Sequence, residues 1–265
     1  MNRTSLRSKA FTLFLAFAML TLLPAISYPF KNSGGTEGQC SKCHSVTPLE
    51  AKEILKDIVD EVHAIERSVV PGLYIIDATG KNGKRGIIYM DFSKNYIVSG
   101  SFMSISDRKN VTKMEMLQLH RVDITSIPLA DSIVIGDPGA PKKMILFTDP
   151  QCPFCRKFHP ELKKVVEADP DVVIFIKMMP LASLHPDSPR IARAILCAGS
   201  LQLLEDSFAN KKVPDPTCES DAVDRTIKLA QELGIGSTPT LILPDGRVAP
   251  GYRTAEEVLE LLKEK

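Results

Sequence analysis

The stretch "FTDPQCPFCRKFHPEL", residues 147–162, decides the fold. It starts inside an apolar run and carries Cys152 and Cys155 at C-x-x-C spacing, where helical periodicity begins. This spacing serves a redox dithiol, half of a metal site or a structural crosslink. A zinc site needs a second chelating pair close by, and a disulfide that closes so short a loop adds little stability. With a strand before it and a helix after it, the pair favours redox chemistry.

Strand and helix patterns alternate from Lys143 to the C-terminus. The strand patterns are "MILFTD", "VVIFIKMM", "TPTLILP" and "GRVAPGY". The helix patterns are "PFCRKFHPELKKVVEA", which continues through Pro160, two stretches near 187–200 and 219–233, and "TAEEVLELLKE". Strand, helix, strand, helical insertion, two strands and helix is the order of a thioredoxin-type α/β domain, predicted here over residues 143–265.

The N-terminal half predicts a small α+β unit over residues 47–110. A capping box at Thr47 and Glu50 opens "TPLEAKEILKDIVDEVHAIERS", whose apolar spacing predicts one amphipathic helix. "GLYIIDAT", "GIIYMDF" and "YIVSGSFMSI" follow as a predicted three-strand meander. A unit of this size has only a small hydrophobic core, and we therefore expect it to pair with a second copy of itself. Residues 111–142 are predicted to be a linker helix and loop.

The first 27 residues have the features of a cleavable signal peptide. Basic residues precede an apolar stretch over 10–23, which is too short for a comfortable membrane span, and small residues allow cleavage after Ser27. An uncleaved anchor is the alternative. Residues 28–46 are predicted to be a flexible leader. Either way the sequence predicts export, and we expect a periplasmic protein.

Composition and cysteine content limit the function further. The 265 residues are 44% apolar and 25% charged, as in globular proteins, and the net charge of +1 gives no reason to expect nucleic acid as a partner. All six cysteines lie in the exported part, where thiols tend to oxidise. Six cysteines allow fifteen pairings, and two close pairs with one wider pair is the simplest partition.

The position of Cys152 predicts an activated thiol. The free N–H groups and the positive dipole end of a helix favour the thiolate, so its pKa should fall below the free value of about 8.5. Cys155 lies nearly one turn deeper and should be more buried. We therefore expect Cys152 to be an exposed nucleophile and Cys155 a sheltered resolving thiol, and this chemistry needs no cofactor. His159, one turn further, is expected on a solvated helix face.

Two further features accompany the dithiol. Cys197 and Cys218 flank a loop without helix or strand pattern, which a disulfide would stabilise by about 3 kcal/mol; free thiols are the alternative. Thr238 and Pro239, in "GIGSTPTLIL", resemble the cis-proline loop of thioredoxin-fold proteins, in which the proline lies against the nucleophilic cysteine and the loop binds substrate. An ordinary turn proline is the alternative.

From Thr47 to the C-terminus the sequence resembles the bacterial periplasmic disulfide isomerase family of DsbC and DsbG. The resemblance rests on "PGLYII", "YIVSG", "NVT", "LFTDPQCPFCRKFHPEL", "CAGSLQLLEDSFANKKVPDPTC" and "LAQELGIGSTPTLILPDGRVAPGY". It implies a V-shaped homodimer joined through small cystatin-like domains, with the dithiols facing an uncharged, apolar cleft for misfolded exported proteins. It also implies reduction by a membrane donor of the DsbD type.

By motif position the resemblance implies specific roles. Cys152 is the nucleophile, Cys155 the resolving thiol, Thr238 and Pro239 the substrate loop, and Cys197 with Cys218 the structural bridge. The central dipeptide Pro-Phe departs from the Gly-Tyr of DsbC and the Pro-Tyr of DsbG, which leaves the balance between isomerase and reductase open. A net oxidant of the DsbA type is a further alternative.

The motif "CSKCH", residues 40–44, lies outside that resemblance. In an exported protein, the pattern C-x-x-C-H is the attachment signal for haem c, with thioethers at Cys40 and Cys43 and with His44 as axial metal ligand. A second dithiol or disulfide, and zinc, are the alternatives. Candidates for a second axial ligand are Met90, Met103, Met114, Met116 and His63. A haem here would indicate an electron-transfer protein that works with a dedicated partner.

Overall fold

The computed structural model describes residues 45–263. The predicted signal peptide and the C-x-x-C-H motif therefore lie outside the described residues. The helices are α1 Pro48–Ile54, α2 Val111–Leu119, α3 Pro153–Ala168, α4 Ser188–Ala198, α5 Leu201–Phe208, α6 Ala222–Glu232 and α7 Ala255–Lys263. The strands are β1 Val59–Arg67, β2 Leu73–Gly80, β3 Arg85–Asp91, β4 Ile97–Val98, β5 Ile133–Ile135, β6 Lys142–Thr148, β7 Val172–Met178, β8 Thr240–Ile242 and β9 Val248–Pro250. Within 45–263 no helix combines the length and the apolar character needed to cross a bilayer.

The N-terminal sheet is an antiparallel meander in the order β1-β2-β3-β4. Tyr74, Ile76 and Met90 form a core on one face with the side chain of Ala51 from α1. Tyr89 faces the opposite side, where α2 covers β2 and β3. Both faces are thus occupied, and the predicted small α+β unit is present with one strand more than expected.

The single helix predicted over 47–68 is wrong in its second half. The helix stops at Ile54, and Val59 to Arg67 form β1 instead. Two bulges interrupt the pairing with β2, so Val59, Val62 and Ile65 lie opposite Gly80, Ala78 and Ile76, which alternate along β2. At each bulge the apolar residues on one face of the strand are three positions apart instead of two. Because a spacing of three also places residues on one face of a helix, the sequence pattern predicted a helix.

The C-terminal sheet has the order β5-β7-β6-β8-β9, with β6 and β7 parallel and the other pairs antiparallel. Met144 and Leu146 of β6 face the core that holds α3, whereas Ile145 and Phe147 face the core on the other side with α6. A sheet buried on both faces explains the continuous apolar runs of β6 and β7. The predicted α/β fold class is confirmed, and the C-terminal part has the predicted order of strand, helix, strand, helical insertion, two strands and helix.

Two elements of this part were not predicted. β5 has three residues, too few for a periodic pattern, and pairs antiparallel with β7. The helical insertion contains α5 in addition to α4 and α6, because Gly199, with a φ of 58°, ends α4 and the Ser200 side chain caps the next helix. The boundaries proposed at residues 110 and 142 remain predictions.

Candidate active site

Cys152 and Cys155 lie where β6 gives way to α3. Thr148 ends the strand, and the Asp149 carboxylate accepts the N–H of Gln151 at 2.8 Å in a tight turn. Cys152 is the N-cap residue of α3, and Pro153 occupies the first helical position, where its missing N–H costs nothing. Both cysteines are free thiols. The local chemistry of the turn thus places Cys152 at the open end of the helix.

The surroundings of Cys152 stabilise its thiolate. The thiol of Cys155 donates a hydrogen bond to it, and the backbone N–H groups of Cys155 and Phe154, together with Thr238, add to this effect. These groups outweigh burial and lower the pKa of Cys152 to about 5. The direction agrees with the sequence argument, but the largest cause, the partner thiol, differs from the helix terminus invoked there.

The pKa of Cys155 shifts in the opposite direction. Burial first, and then the hydrogen bond it makes to Cys152, raise the pKa of its thiol far above the ordinary value. The backbone N–H of Asp149 lies 3.5 Å from its sulfur. The expectation that Cys152 is exposed is wrong: the residue is only 6% exposed, against 2% for Cys155. The asymmetry of the pair therefore lies in proton affinity more than in exposure.

A buried carboxylate, which the sequence did not single out, lies in the turn that precedes the dithiol. Asp149 is fully buried and accepts hydrogen bonds from Leu181 N at 2.8 Å, His185 Nδ1 at 2.8 Å and Ser188 Oγ at 2.5 Å. These donors come from the segment that runs from β7 to the first residue of α4, so Asp149 ties the C-x-x-C turn to the helical insertion. The available signal was an acidic residue directly at the end of a buried strand.

Thr238 and Pro239 lie against the dithiol. Their peptide bond is cis, and the Sγ atom of Cys152 is 3.6 Å from the Thr238 carbonyl oxygen. The Pro239 carbonyl accepts the N–H of Gly251 at 2.8 Å, which holds the loop to the residue that follows β9. The structure thus brings together four of the predicted site residues, although the loop and the cysteines are far apart in the sequence.

Cys197 and Cys218 are joined by a disulfide. The bridge connects the last turn of α4 to the segment before α6, and it closes a loop with a sequence separation of 21 residues. It is not part of the dithiol site. From this position the disulfide crosslinks the helical insertion.

His159 does not lie on a solvated face, contrary to expectation. It is 6% exposed, with Nε2 at 3.2 Å from Glu205 Oε1 and its ring against Phe208. Burial lowers the pKa of its imidazole, with Glu205 opposing the shift. The reason is α5, an element that the sequence patterns did not indicate, which covers this side of α3.

The proposed second haem ligands lie in different surroundings. Of the proposed second ligands, Met90 is buried in the core, Met103 and Met114 are exposed, and His63 Nε2 lies 2.7 Å from Thr79 Oγ1. Over residues 45–263 no three His, Cys, Asp or Glu side chains are grouped to hold a metal ion. Cys40, Cys43 and His44 lie outside the described part.

The chain has relatives among disulfide interchange proteins. It is 27% identical over 183 residues to the thiol:disulfide interchange protein DsbC of Escherichia coli K12, covering 68% of this chain and 74% of the relative. It is 26% identical over 231 residues to a probable DsbC of Bordetella avium, covering 83% and 79%. The resemblance to the DsbC and DsbG family, and the class of thiol-disulfide oxidoreductase, are confirmed by these relatives.

The chain also matches solved structures and a family model. A disulfide interchange protein of Neisseria gonorrhoeae matches with a TM-score of 0.44 and 29% identity, covering 52% of this chain and 97% of that one. A variant of Proteus mirabilis ScsC matches with a TM-score of 0.46 and 26% identity, covering 51% and 74%. The model of the thioredoxin-like domain family matches residues 130–265. This match spans half of the sequence and includes both cysteines of the C-x-x-C pair, and the chain belongs to the thioredoxin-like domain family.

Proposed function

We propose that this protein rearranges and reduces non-native disulfides of exported proteins, with Cys152 as nucleophile and Cys155 as resolving thiol. The observation that carries the proposal is the opposed proton affinity of the two thiols: the pKa of Cys152 is lowered to about 5, whereas that of Cys155 is raised. One sulfur is thus ready to attack at neutral pH, and the other keeps its proton until it is needed.

The first step forms a mixed disulfide. The Cys152 thiolate attacks one sulfur of a substrate disulfide, a new S–S bond forms, and the substrate S–S bond breaks. The second substrate sulfur leaves as a thiolate and takes a proton from water. The cis-Pro loop is suited to hold the substrate polypeptide here, because the Thr238 carbonyl lies 3.6 Å from the attacking sulfur.

Two routes complete the cycle. In reduction, Cys155 loses its proton and attacks Cys152, the internal disulfide forms, and the substrate leaves with both sulfurs reduced. In isomerisation, another substrate thiolate attacks the mixed disulfide and Cys152 leaves unchanged, with no net transfer of electrons. The low pKa of Cys152 makes it a good leaving group in the second route, whereas the first route needs the Cys155 thiol to lose its proton, which its burial disfavours. We therefore place isomerisation ahead of reduction.

Refolding of a scrambled multi-disulfide protein separates these routes. The wild type should restore native pairing, and Cys152→Ala should not. Cys155→Ala should keep part of the isomerase activity while it accumulates mixed disulfides, since shuffling does not need the resolving thiol. If Cys155→Ala is as inactive as Cys152→Ala, the protein works as a reductase. If Cys152→Ala matches the wild type, the proposal fails.

A net oxidant is the second candidate within this chemistry, because a low pKa of the attacking cysteine also stabilises the reduced form. Redox potentials in this fold range from about −270 mV for thioredoxin to about −120 mV for DsbA. Equilibration of the Cys152–Cys155 pair with glutathione measures the potential directly. A value near the DsbA end, with rapid oxidation of a reduced client protein, would favour the oxidant.

We also propose that residues 47–110 join two copies into a homodimer. Apolar side chains stand exposed on this unit around its short edge strand; they are Tyr96, Ile97, Val98, Met103 and Ile105. A surface with this many exposed apolar side chains favours association between two copies of the chain. Light scattering coupled to size exclusion should give twice the mass of one protomer, and Ile97→Lys with Val98→Lys should give the monomer mass.

We further propose a periplasmic location after cleavage behind Ser27, and reduction of the dithiol by a membrane donor like DsbD. The N-terminal sequence of the mature protein tests the cleavage site. The redox state of Cys152 in cells tests the donor: removal of the membrane donor should convert the reduced pair to the disulfide.

Haem at Cys40, Cys43 and His44 remains a separate proposal, supported by the C-x-x-C-H motif itself. A protein with haem there would be an electron carrier coupled to the dithiol. Expression with a cytochrome-maturation system should then give a Soret band and a covalent haem mass, and Cys40→Ala with Cys43→Ala should abolish both.

A further inference from the structure

A cleft of about 530 Å³ lies beside Cys152. The C-x-x-C turn and the first turn of α3 form one wall, and α4 and the loop that follows α5 form the other. The cleft is continuous with the nucleophile, since Gln151, Cys152 and Pro153 belong to its lining. A polypeptide attached to the Cys152 sulfur would therefore have this cleft on one flank.

Most charged side chains of the lining are basic, and two of the basic groups are neutralised locally. Arg190 Nε and Nη2 donate to the Asp187 carboxylate at 2.8 and 2.9 Å, and Lys211 Nζ donates to Asp206 at 2.9 Å. Arg190 Nη1 also reaches Asp215 at 3.0 Å. These groups shape the wall and leave little charge for a ligand.

Arg156 and Lys212, unlike Arg190 and Lys211, are not neutralised by a neighbouring carboxylate of the described chain. Both are exposed and line the cleft, and neither makes an ion pair within residues 45–263. Arg156 is four residues after Cys152 and accordingly lies on the same side of α3 as the sulfur. Lys212 lines the same cleft from the loop after α5, as does Asn210, whose amide adds a neutral donor. Two cations and an amide across a groove match carboxylates better than apolar side chains.

We propose that this cleft binds an acidic segment of the substrate polypeptide, adjoining the cysteine that Cys152 attacks. The inference rests on the proposed disulfide exchange at Cys152, and it differs from the uncharged, apolar cleft that the family resemblance implied. Asp or Glu within a few residues of the substrate cysteine pairs with Arg156 and Lys212. The protein accordingly selects disulfides by the charge beside them.

Two peptides test the selection. Each carries one cysteine as a disulfide with the neutral leaving group 2-thiopyridine; one has Glu at the two positions on either side of the cysteine, and the other has Gln. Stopped-flow release of pyridine-2-thione by reduced full-length protein gives a second-order rate constant for each. The Glu peptide should react about three- to tenfold faster, as expected for two exposed ion pairs. At about 1 M salt, where the Debye length is about 3 Å, the ratio should approach one.

Charge reversal locates the effect. Arg156→Glu with Lys212→Glu should bring the Glu/Gln rate ratio to one or below, and the ratio cancels any change in the reactivity of Cys152 itself. The matched control is Lys52→Glu with Lys143→Glu, which removes the same charge at exposed lysines outside the cleft and should keep the wild-type ratio.

The outcomes distinguish the two proposals. Equal rates for both peptides at low salt overturn the acidic-segment inference and leave disulfide exchange intact. If the control variant also loses the preference for the Glu peptide, net charge accounts for the preference. That result likewise overturns the proposed binding of an acidic segment in the cleft. No thione release from either peptide by the wild type would overturn the proposed exchange at Cys152, and the inference with it.

Discussion

The pKa of Cys152 gives the sharpest prediction. With a pKa of about 5, the residue is about 99% thiolate at pH 7, whereas a free cysteine with a pKa of about 8.5 is only about 3% ionised. This gain of about 30-fold is offset at pH 7, because a Brønsted coefficient of about 0.4–0.5 over about 3.5 pKa units lowers the nucleophilicity of each thiolate about 25- to 60-fold. The attack rate at pH 7 should thus be close to that of free cysteine.

The advantage appears in acid. At pH 5 about half of Cys152 is thiolate, whereas free cysteine is ionised to about 0.03%, an excess of about 1,500-fold. After the same nucleophilicity correction, Cys152 should attack a small neutral disulfide about 25- to 60-fold faster than free cysteine does. The assay combines thiolate absorbance at 240 nm, with Cys152→Ala as the blank, and exchange rates over the same range of pH.

The perturbation is Cys155→Ala. It removes the thiol that contributes most to the lowered pKa, and leaves the backbone N–H groups of Phe154 and residue 155 in place. The Cys152 midpoint should therefore move above 5 but stay below the free value. Cys155→Ser, which keeps a donor, should restore part of the shift. A wild-type midpoint near that of free cysteine, or a Cys155→Ala titration that superimposes on the wild type, would refute the reasoning.

Three further predictions concern stability, measured by urea unfolding. Cys197→Ala with Cys218→Ala should lower the free energy of unfolding by about 3 kcal/mol when the Cys152–Cys155 pair is kept in the same redox state in both proteins; an unchanged value would contradict a structural role. Asp77→Ala removes the buried carboxylate that pairs with Arg85 and should cost about 3 kcal/mol, with a loss below about 1 kcal/mol counting against a buried pair. The pKa of His159 is lowered in the folded protein. Its contribution to the free energy of unfolding is therefore fully present above about pH 6.5. This contribution declines as the pH falls below that value, because the unfolded chain binds the proton more tightly. His159→Gln should flatten this decline between about pH 7 and about pH 5.5; equal slopes would show that another group titrates.

The amino-acid sequence alone determined the features that depend on neighbours in the chain. An apolar run, a turn and Pro153 are contiguous, so they predicted a cysteine at the junction of β6 and α3. The order of strands and helices in the C-terminal part followed in the same way, and with it the thioredoxin-like fold. Helix termini, turns and periodicity act over a few residues, which is why local sequence was sufficient for them.

Only the tertiary structure decided what depends on distant partners. Pairing with β2 turned Val59 to Arg67 into a bulged strand, although their spacing favours a helix. The burial of His159 under α5 and the hydrogen bonds of Asp149 with the segment that leads into α4 likewise join parts of the sequence about 30 to 45 residues apart. The unpaired charges of the cleft beside Cys152 belong to this group, because charge pairing is set by whatever packs nearby in space.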